Sequence, residues 1–503
     1  MSIPAKRKAG RLMLTLALAA SLLAPGCASS PQYENVPATV ADLQEFPQSL
    51  DVLAELYGTP GQGAWAVGDL RGADTVLRGH VEARRDMDYF REHFFQPWDE
   101  TGVDRDSVTF LLDELKRAPS ERGAAENMHP WSDKAWQSMV DNADLPRLER
   151  VLLGGSPRAA ITVRATDLRS APTMRPLFSD AHGAGRGWPF DLFQQSRLHV
   201  GTPLAVYHKS LDGAWLLVQA ASAWGWVPAE DVAGAGQDFC KLWRKVQLSA
   251  FVREGVGLKF KTLGVGSEDK DSDSSVIRPG SFLATADIGT VLPSPQDGEV
   301  LLPLRGLDGS AYVVTASFAQ FGESSREFRA GDQLHAPVVR MPLLLTPRHV
   351  AGIGGRMMGQ PYGWGGLYGG RDCSATMQDL FAPFGIWLPR HSAAQAEEGR
   401  PVMLEGFGDK AKEKALREVA QPFRTLIWMP GHIGLYVGQW EGQAAMFHNM
   451  WGVRNSLGNG REGRLVIGRA VVTSLRPGEE RGDVEESALL LRKVKAFTVL
   501  GAE

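Results

Sequence analysis

Cysteine is scarce. The three in 503 residues, Cys27, Cys240 and Cys373, are too few and too far apart for a disulfide framework, and no CxxC pair occurs. The eleven histidines contain no HExxH and no spacing with cysteine that suits a structural zinc, so no metal and no cofactor is expected. No serine stands in a Gly-x-Ser-x-Gly frame, which excludes a serine-hydrolase elbow. The Gly352-Ile353-Gly354-Gly355 run lacks the rest of a phosphate-binding fingerprint and reads as loop. Net charge is only −4, with both signs mixed, so nucleic acid is not an expected partner. The apolar run Leu12 to Ala24 is too short to span a bilayer.

What is present falls into parts. A chain of 503 residues is too long for one core. Residues 1–26 read as a signal peptide, with Lys6, Arg7, Lys8 and Arg11 before the apolar run. Gly26-Cys27 at its end resembles a bacterial lipoprotein cleavage site, which implies lipidation of Cys27 and a membrane anchor; the other reading is ordinary secretion. Ala28 supplies no acidic retention signal, so the expected place is the periplasmic side of the envelope, at the outer membrane. Residues 27–45 read as a polar tether. From 46 to 150 the apolar spacing is helical, as in Leu50, Leu53, Ala54 and Tyr57, or Met87, Phe90, Phe94 and Phe95. Residues 155–236 change to short strands, with a hairpin around Leu211-Asp212-Gly213 and a Trp224-Gly225-Trp226-Val227-Pro228 ending. Residues 240–330 repeat the theme around Asp308-Gly309. The acidic run 268–273 reads as a solvated loop, and 331–347 as a link to a last domain over 340–503.

That domain is organised around Arg371-Asp372-Cys373-Ser374-Ala375. The Gly-rich approach Gln360 to Gly366 is neither helix nor strand interior. Cys373, Met377, Leu380 and Phe381 then keep helical spacing, with Asp372 as N-cap. Cys373 falls in the first turn, where the dipole and free N–H groups favour a thiolate, although the Asp372 carboxylate opposes it. Further on, Thr425 to Met429 and His432 to Val437 read as two strands around a Pro-Gly break. His432 shares a face with Gly434, whose small size leaves room for a side chain arriving from a helix. A third strand carries His448, near enough for two rings to hydrogen-bond. Nucleophile, base and orienter form a triad in its cysteine form.

These stretches, with Leu388-Pro389-Arg390-His391-Ser392 and Pro430-Gly431-His432-Ile433-Gly434, resemble the NlpC/P60 family of bacterial cell-wall cysteine peptidases. The resemblance implies a multidomain protein: a helical N-terminal stabilising region, two SH3-like β-barrels and an α+β papain-like catalytic domain. It implies Cys373 as nucleophile, His432 as base and His448 as third polar residue. It implies cleavage of the γ-D-glutamyl–diaminopimelate bond in peptidoglycan stem peptides or muropeptides. His391 departs from the acidic residue usual there. Helix-start N–H groups, that of Cys373 included, are the expected oxyanion donors. In similar proteins the first barrel narrows the groove, so that a free N-terminal L-Ala is preferred. Asp372 is then the candidate partner for its amine, Tyr362 and Trp364 an aromatic wall, and Ser374, His391 and Ser392 further substrate contacts. Two other functions remain: a wall-binding scaffold with an inert peptidase fold, and an amidase or acyltransferase on another wall or lipid bond.

Overall fold

In the strands Thr425–Met429 and His432–Trp440 apolar side chains point to both faces, so this pair belongs in the middle of a sheet covered on both sides. The computed structural model places it there. The residues it describes are 34–37, 40–58, 72–103, 105–152, 156–221, 223–263, 278–318, 333–458 and 460–501. The signal peptide, Cys27 and the acidic run 268–273 lie outside them. The C-terminal sheet has seven strands, in the order Glu34–Pro37, Arg461–Thr473, Gln443–Gly458, His432–Trp440, Thr425–Met429, Ala496–Val499 and Arg400–Met403. On one face Ile433, Leu435, Val437 and Phe447 pack against the helices Pro347–Met357 and Cys373–Phe381. On the other, Ile427, Tyr436 and Met446 pack against Leu416 of the helix Asp409–Val419.

Two local expectations are corrected here. Gly352 to Gly355 is not loop but the middle of the helix Pro347–Met357, capped by Thr346, whose hydroxyl accepts from the His349 amide. A Cβ at Gly354 would stand 2.6 Å from Leu50 Cδ1, so glycine serves close packing there. The tether is also not free chain throughout. Glu34–Pro37 adds a parallel edge strand beside Gly463 to Val466, satisfying backbone groups that an open edge would expose. Asp42 is buried and accepts from the Ser474 amide at 2.6 Å.

The first barrel is a seven-stranded antiparallel sheet between Arg158 and Gly234. Its hairpin joins Pro203–Lys209 to Trp215–Ala220, with Gly213 at φ 75°. Gly225 is needed where strands cross, since a Cβ there would lie 2.6 Å from the Arg169 carbonyl oxygen. The second β module has a four-stranded and a three-stranded sheet. It extends past residue 330: Val338–Arg340, inside the expected link, pairs with Leu248–Phe251.

The N-terminal region is helical as expected, but it does not have a core to itself. Leu50, Leu53 and Tyr57 join the core of the C-terminal domain. Met87, Phe90, Phe94 and Phe95, on the helix His80–Phe95, join the core of the second β module together with Trp387. Val108, Leu111, Trp131 and Trp136 join Phe193, Tyr207 and Trp226 of the first barrel. Each buried aromatic side chain contributes about 1.5–3 kcal/mol, so this segment ties three bodies into one.

Candidate active site

The candidate nucleophile is set by a cap and two glycines. Asp372 accepts from the Ala375 amide at 2.9 Å and starts the helix Cys373–Phe381, which places Cys373 at its first position, 8% exposed. The loop before it turns through Gly365 at φ 60° and Gly366 at φ 87°. Burial first, and then the Asp372 carboxylate, push the thiol up to about 12; the Ile433 amide and Arg390 oppose this without prevailing. The helix start favours the anion as expected, but a dipole is worth about 0.3–1 kcal/mol, less than the desolvation of a buried anion.

The candidate base is one member of a histidine pair. His432 Nε2 lies 2.8 Å from His448 Nδ1, and the fully buried His448 presents Nε2 to Thr473 Oγ1 at 3.0 Å. Burial pushes His432 down to about 4 and His448 well below its ordinary value. At neutral pH both rings and the thiol are therefore uncharged. The space over Gly434 is not left for a side chain from the helix: a Cβ there would meet His448 Cβ at 2.8 Å. Glycine instead lets the next strand close in, so that His448 leans toward His432. The helix packs against Ile433, Leu435 and Phe447, and the Ile433 amide faces the Cys373 sulfur. Among the described residues no hydrogen bond joins Cys373 to His432, a contact that tightens in many enzymes only with substrate.

Two arginines missed as site residues hold this geometry. Arg390 pairs with Asp372, donates to the Ser374 hydroxyl and reaches Ser196 of the first barrel at 3.2 Å. Asp372 also accepts from the Gly365 amide and the Ser374 hydroxyl, so its acceptor positions are filled. Arg371 bonds Asp379 at 2.6 Å, Glu254 at 2.7 Å and the Ile288 carbonyl, binding the helix to the second β module. His199 of the first barrel reaches the same Asp379 at 3.0 Å. Both arginines stand in the motifs noted from sequence; only their partners, distant in the chain, give them roles.

Tyr362 and Trp364 join an aromatic cluster shared with the first barrel. Phe190 lies 5.2 Å from Trp364, 6.3 Å from Tyr362 and 5.8 Å from Trp451, and Trp188 lies 5.6 Å from Trp451. The Gln194 amide donates to the Gly365 carbonyl at 3.1 Å. Ser374 is buried, with its hydroxyl on Asp372. His391 is exposed, at φ 84°, and precedes the single turn Ser392–Gln395. Neither His391 nor Ser392 bonds the triad side chains among the described residues. No group of three His, Cys, Asp or Glu side chains there could hold a metal.

Three stretches of the chain are similar to known families. Residues 359–460 match the NlpC/P60 family, residues 16–147 the NLPC_P60 stabilising domain, and residues 176–228 an SH3 domain of the SH3b1 type. An NlpC/P60 endopeptidase from Photobacterium damselae subsp. piscicida is similar in fold. Its TM-score is 0.72 at 22% identity, over 93% of this chain and 99% of that one. An NlpC/P60 family protein from Bacillus cereus aligns over 68% of this chain and 98% of its own, with a TM-score of 0.42 and 14% identity. No curated protein matches.

Proposed function

We propose that this chain, an NlpC/P60 protein with its stabilising and SH3 domains, is an exported cysteine endopeptidase. The family match supports cell-wall peptidase activity. The bond we assign is that between the γ-carboxyl of D-glutamate and diaminopimelate in peptidoglycan stem peptides. The observation carrying the reading is a buried thiol at a helix start, beside the strand whose His432 is bonded at 2.8 Å to His448.

His432 takes the thiol proton as Cys373 Sγ attacks the γ-carbonyl carbon. Backbone N–H groups of the helix start receive the oxyanion. As the C–N bond breaks, His432 returns the proton to the leaving amine. Water, deprotonated by the same imidazole, then releases the thioester as a free carboxylate.

The first barrel supports a preference for peptides with a free N-terminal L-Ala, because it presses Phe190 and Gln194 onto the approach. Asp372 takes part in this only as a carboxylate already balanced by Arg390. Lipidation of Cys27 and an outer-membrane location belong to the same reading. Mass spectrometry of muropeptides incubated with the protein tests it. The expected result is cleavage between D-Glu and diaminopimelate, faster with L-Ala free than with its amine blocked by N-acetylmuramic acid. Intact muropeptides of both kinds would overturn it.

A further inference from the structure

A cavity of about 410 Å³ opens between the first barrel and the catalytic sheet. Arg186, Arg454, Arg464 and Lys493 line it, with Glu462 as its one acid, so the lining carries a net charge of +3 (four cations less one anion). Its walls come from three places: the loop at residues 184–186, the paired strands Gln443–Gly458 and Arg461–Thr473, and the C-terminal turn Leu490–Lys493. Gly185, at φ 72°, lets the barrel loop lie on Arg464, since a Cβ there would stand 3.2 Å from the guanidinium Nε. Arg464 spends one donor on Glu462 at 2.8 Å, and Arg454 reaches Glu485 at 3.2 Å. Lys493 has no ion pair among the described residues. Desolvation and then its neighbours Arg464 and Arg454 lower its ammonium below the ordinary value. An excess of cations facing one hollow is unfavourable unless an anion enters it.

The cavity adjoins the histidine side of the active site. Lys493 is close enough to lower His432 electrostatically. Trp451, next to the lining residue Gly452, packs 6.1 Å from Tyr362. In the mechanism above His432 protonates the leaving amine, so the leaving half of the substrate lies on this side.

We propose that this cavity binds the free carboxylates of the leaving diamino acid, with Arg464 and Lys493 as their principal partners. The assignment rests on the peptidase reading for the identity of the leaving group. Diaminopimelate fits the chemistry: its two carboxylates meet Arg464 and Lys493, and guanidinium groups hold carboxylates through paired N–H donors. Amidation of those carboxyls removes the charge, so the cavity selects unamidated peptides.

Calorimetry on the full chain tests this with three probes: free diaminopimelate, its bis-amide and inorganic pyrophosphate. Diaminopimelate is expected to bind about tenfold or more tighter than the bis-amide, the scale of one charge-assisted hydrogen bond. Arg464→Gln and Lys493→Gln are each expected to weaken diaminopimelate about tenfold. Each should also raise KM for the L-Ala-γ-D-Glu-diaminopimelate tripeptide similarly while kcat stays put. Lys493→Gln breaks no ion pair and guards against misfolding of the other variant. Equal affinity for acid and bis-amide, unchanged affinity in both variants, or pyrophosphate binding more tightly than diaminopimelate would overturn the proposal. If no peptide is cleaved yet diaminopimelate binding is lost in the variants, the peptidase reading fails and the cavity stands. Cleavage with KM and binding unchanged in both variants removes the cavity and leaves the peptidase.

Discussion

Thr473 Oγ1 lies 3.0 Å from His448 Nε2, and its one proton is spent on the Ser474 carbonyl at 2.7 Å. Thr473 can therefore only accept from His448, which places the His448 proton on Nε2. His448 Nδ1 must then accept from His432 Nε2–H across 2.8 Å. This leaves His432 Nδ1 unprotonated, the form that takes the thiol proton. A hydroxyl two strands away fixes the tautomer of the base.

Thr473→Val should remove the acceptor and lower kcat about tenfold, less than the 10²–10⁴ that a general base supplies. Thr473→Ser should restore it. The check is kcat against pH for the two variants. Equal loss in both would assign Thr473 to packing alone.

Cys373→Ala should fold normally and release no product, and His432→Ala should lose about 10²–10⁴ in kcat. His448→Asn should lose less, because an amide can still orient the base. Single-turnover rates read the order. Full activity of Cys373→Ala would refute the nucleophile, and Cys240→Ala should be silent.

The pH dependence follows from the depressed imidazole. In the free enzyme His432 is lowered to about 4 from 6.5, so kcat/KM should hold down to pH 5 and fall only near 4. Stability changes in the same direction. Below 6.5 the unfolded histidines take up protons that buried His432 and His448 refuse, so unfolding becomes easier as pH falls from 6.5 toward 4. At the alkaline end the thiol, raised to about 12, keeps a proton that an unfolded one gives up near 9, so stability also declines above pH 9. Thermal midpoints against pH, for the wild type and His448→Gln, would show the acid effect shrinking in the variant. No change would contradict it.

Gly366→Ala should loosen the barrel from the catalytic loop. A Cβ there would stand 2.4 Å from Arg197 Cβ, at a φ of 87° that disfavours any side chain. The expected result is a loss of about 1–3 kcal/mol and a weaker preference for a free L-Ala end. Denaturant midpoints and the paired substrates measure the two effects. Unchanged preference in a destabilised variant would separate the barrel from specificity.

Cys27→Ser should abolish incorporation of a fatty-acid analogue and move the protein from the membrane fraction to the soluble one. Equal labelling of both forms would exclude the anchor.

The chain by itself determined whatever depends on neighbours a few residues apart. The Asp372 cap, the helix after it, the Pro-Gly break before His432 and the Asp-Gly hairpins all follow from local dihedral and hydrogen-bonding rules. The pairing of His432 with His448 was legible too, since strand order and period two put both rings on one face. Tertiary structure decided what depends on burial and on distant partners. The thiol is neutral because the protein around it excludes water, which no spacing reveals. Arg390 became the counter-ion of Asp372, and Thr473 the anchor of the histidine pair, only when segments far apart in the chain met. The glycines at 352–355 read as loop because a low helix propensity is overridden where Leu50 needs the space. The edge strand at 34–37 was hidden because pairing at a sheet edge is set by backbone groups, which every sequence carries alike.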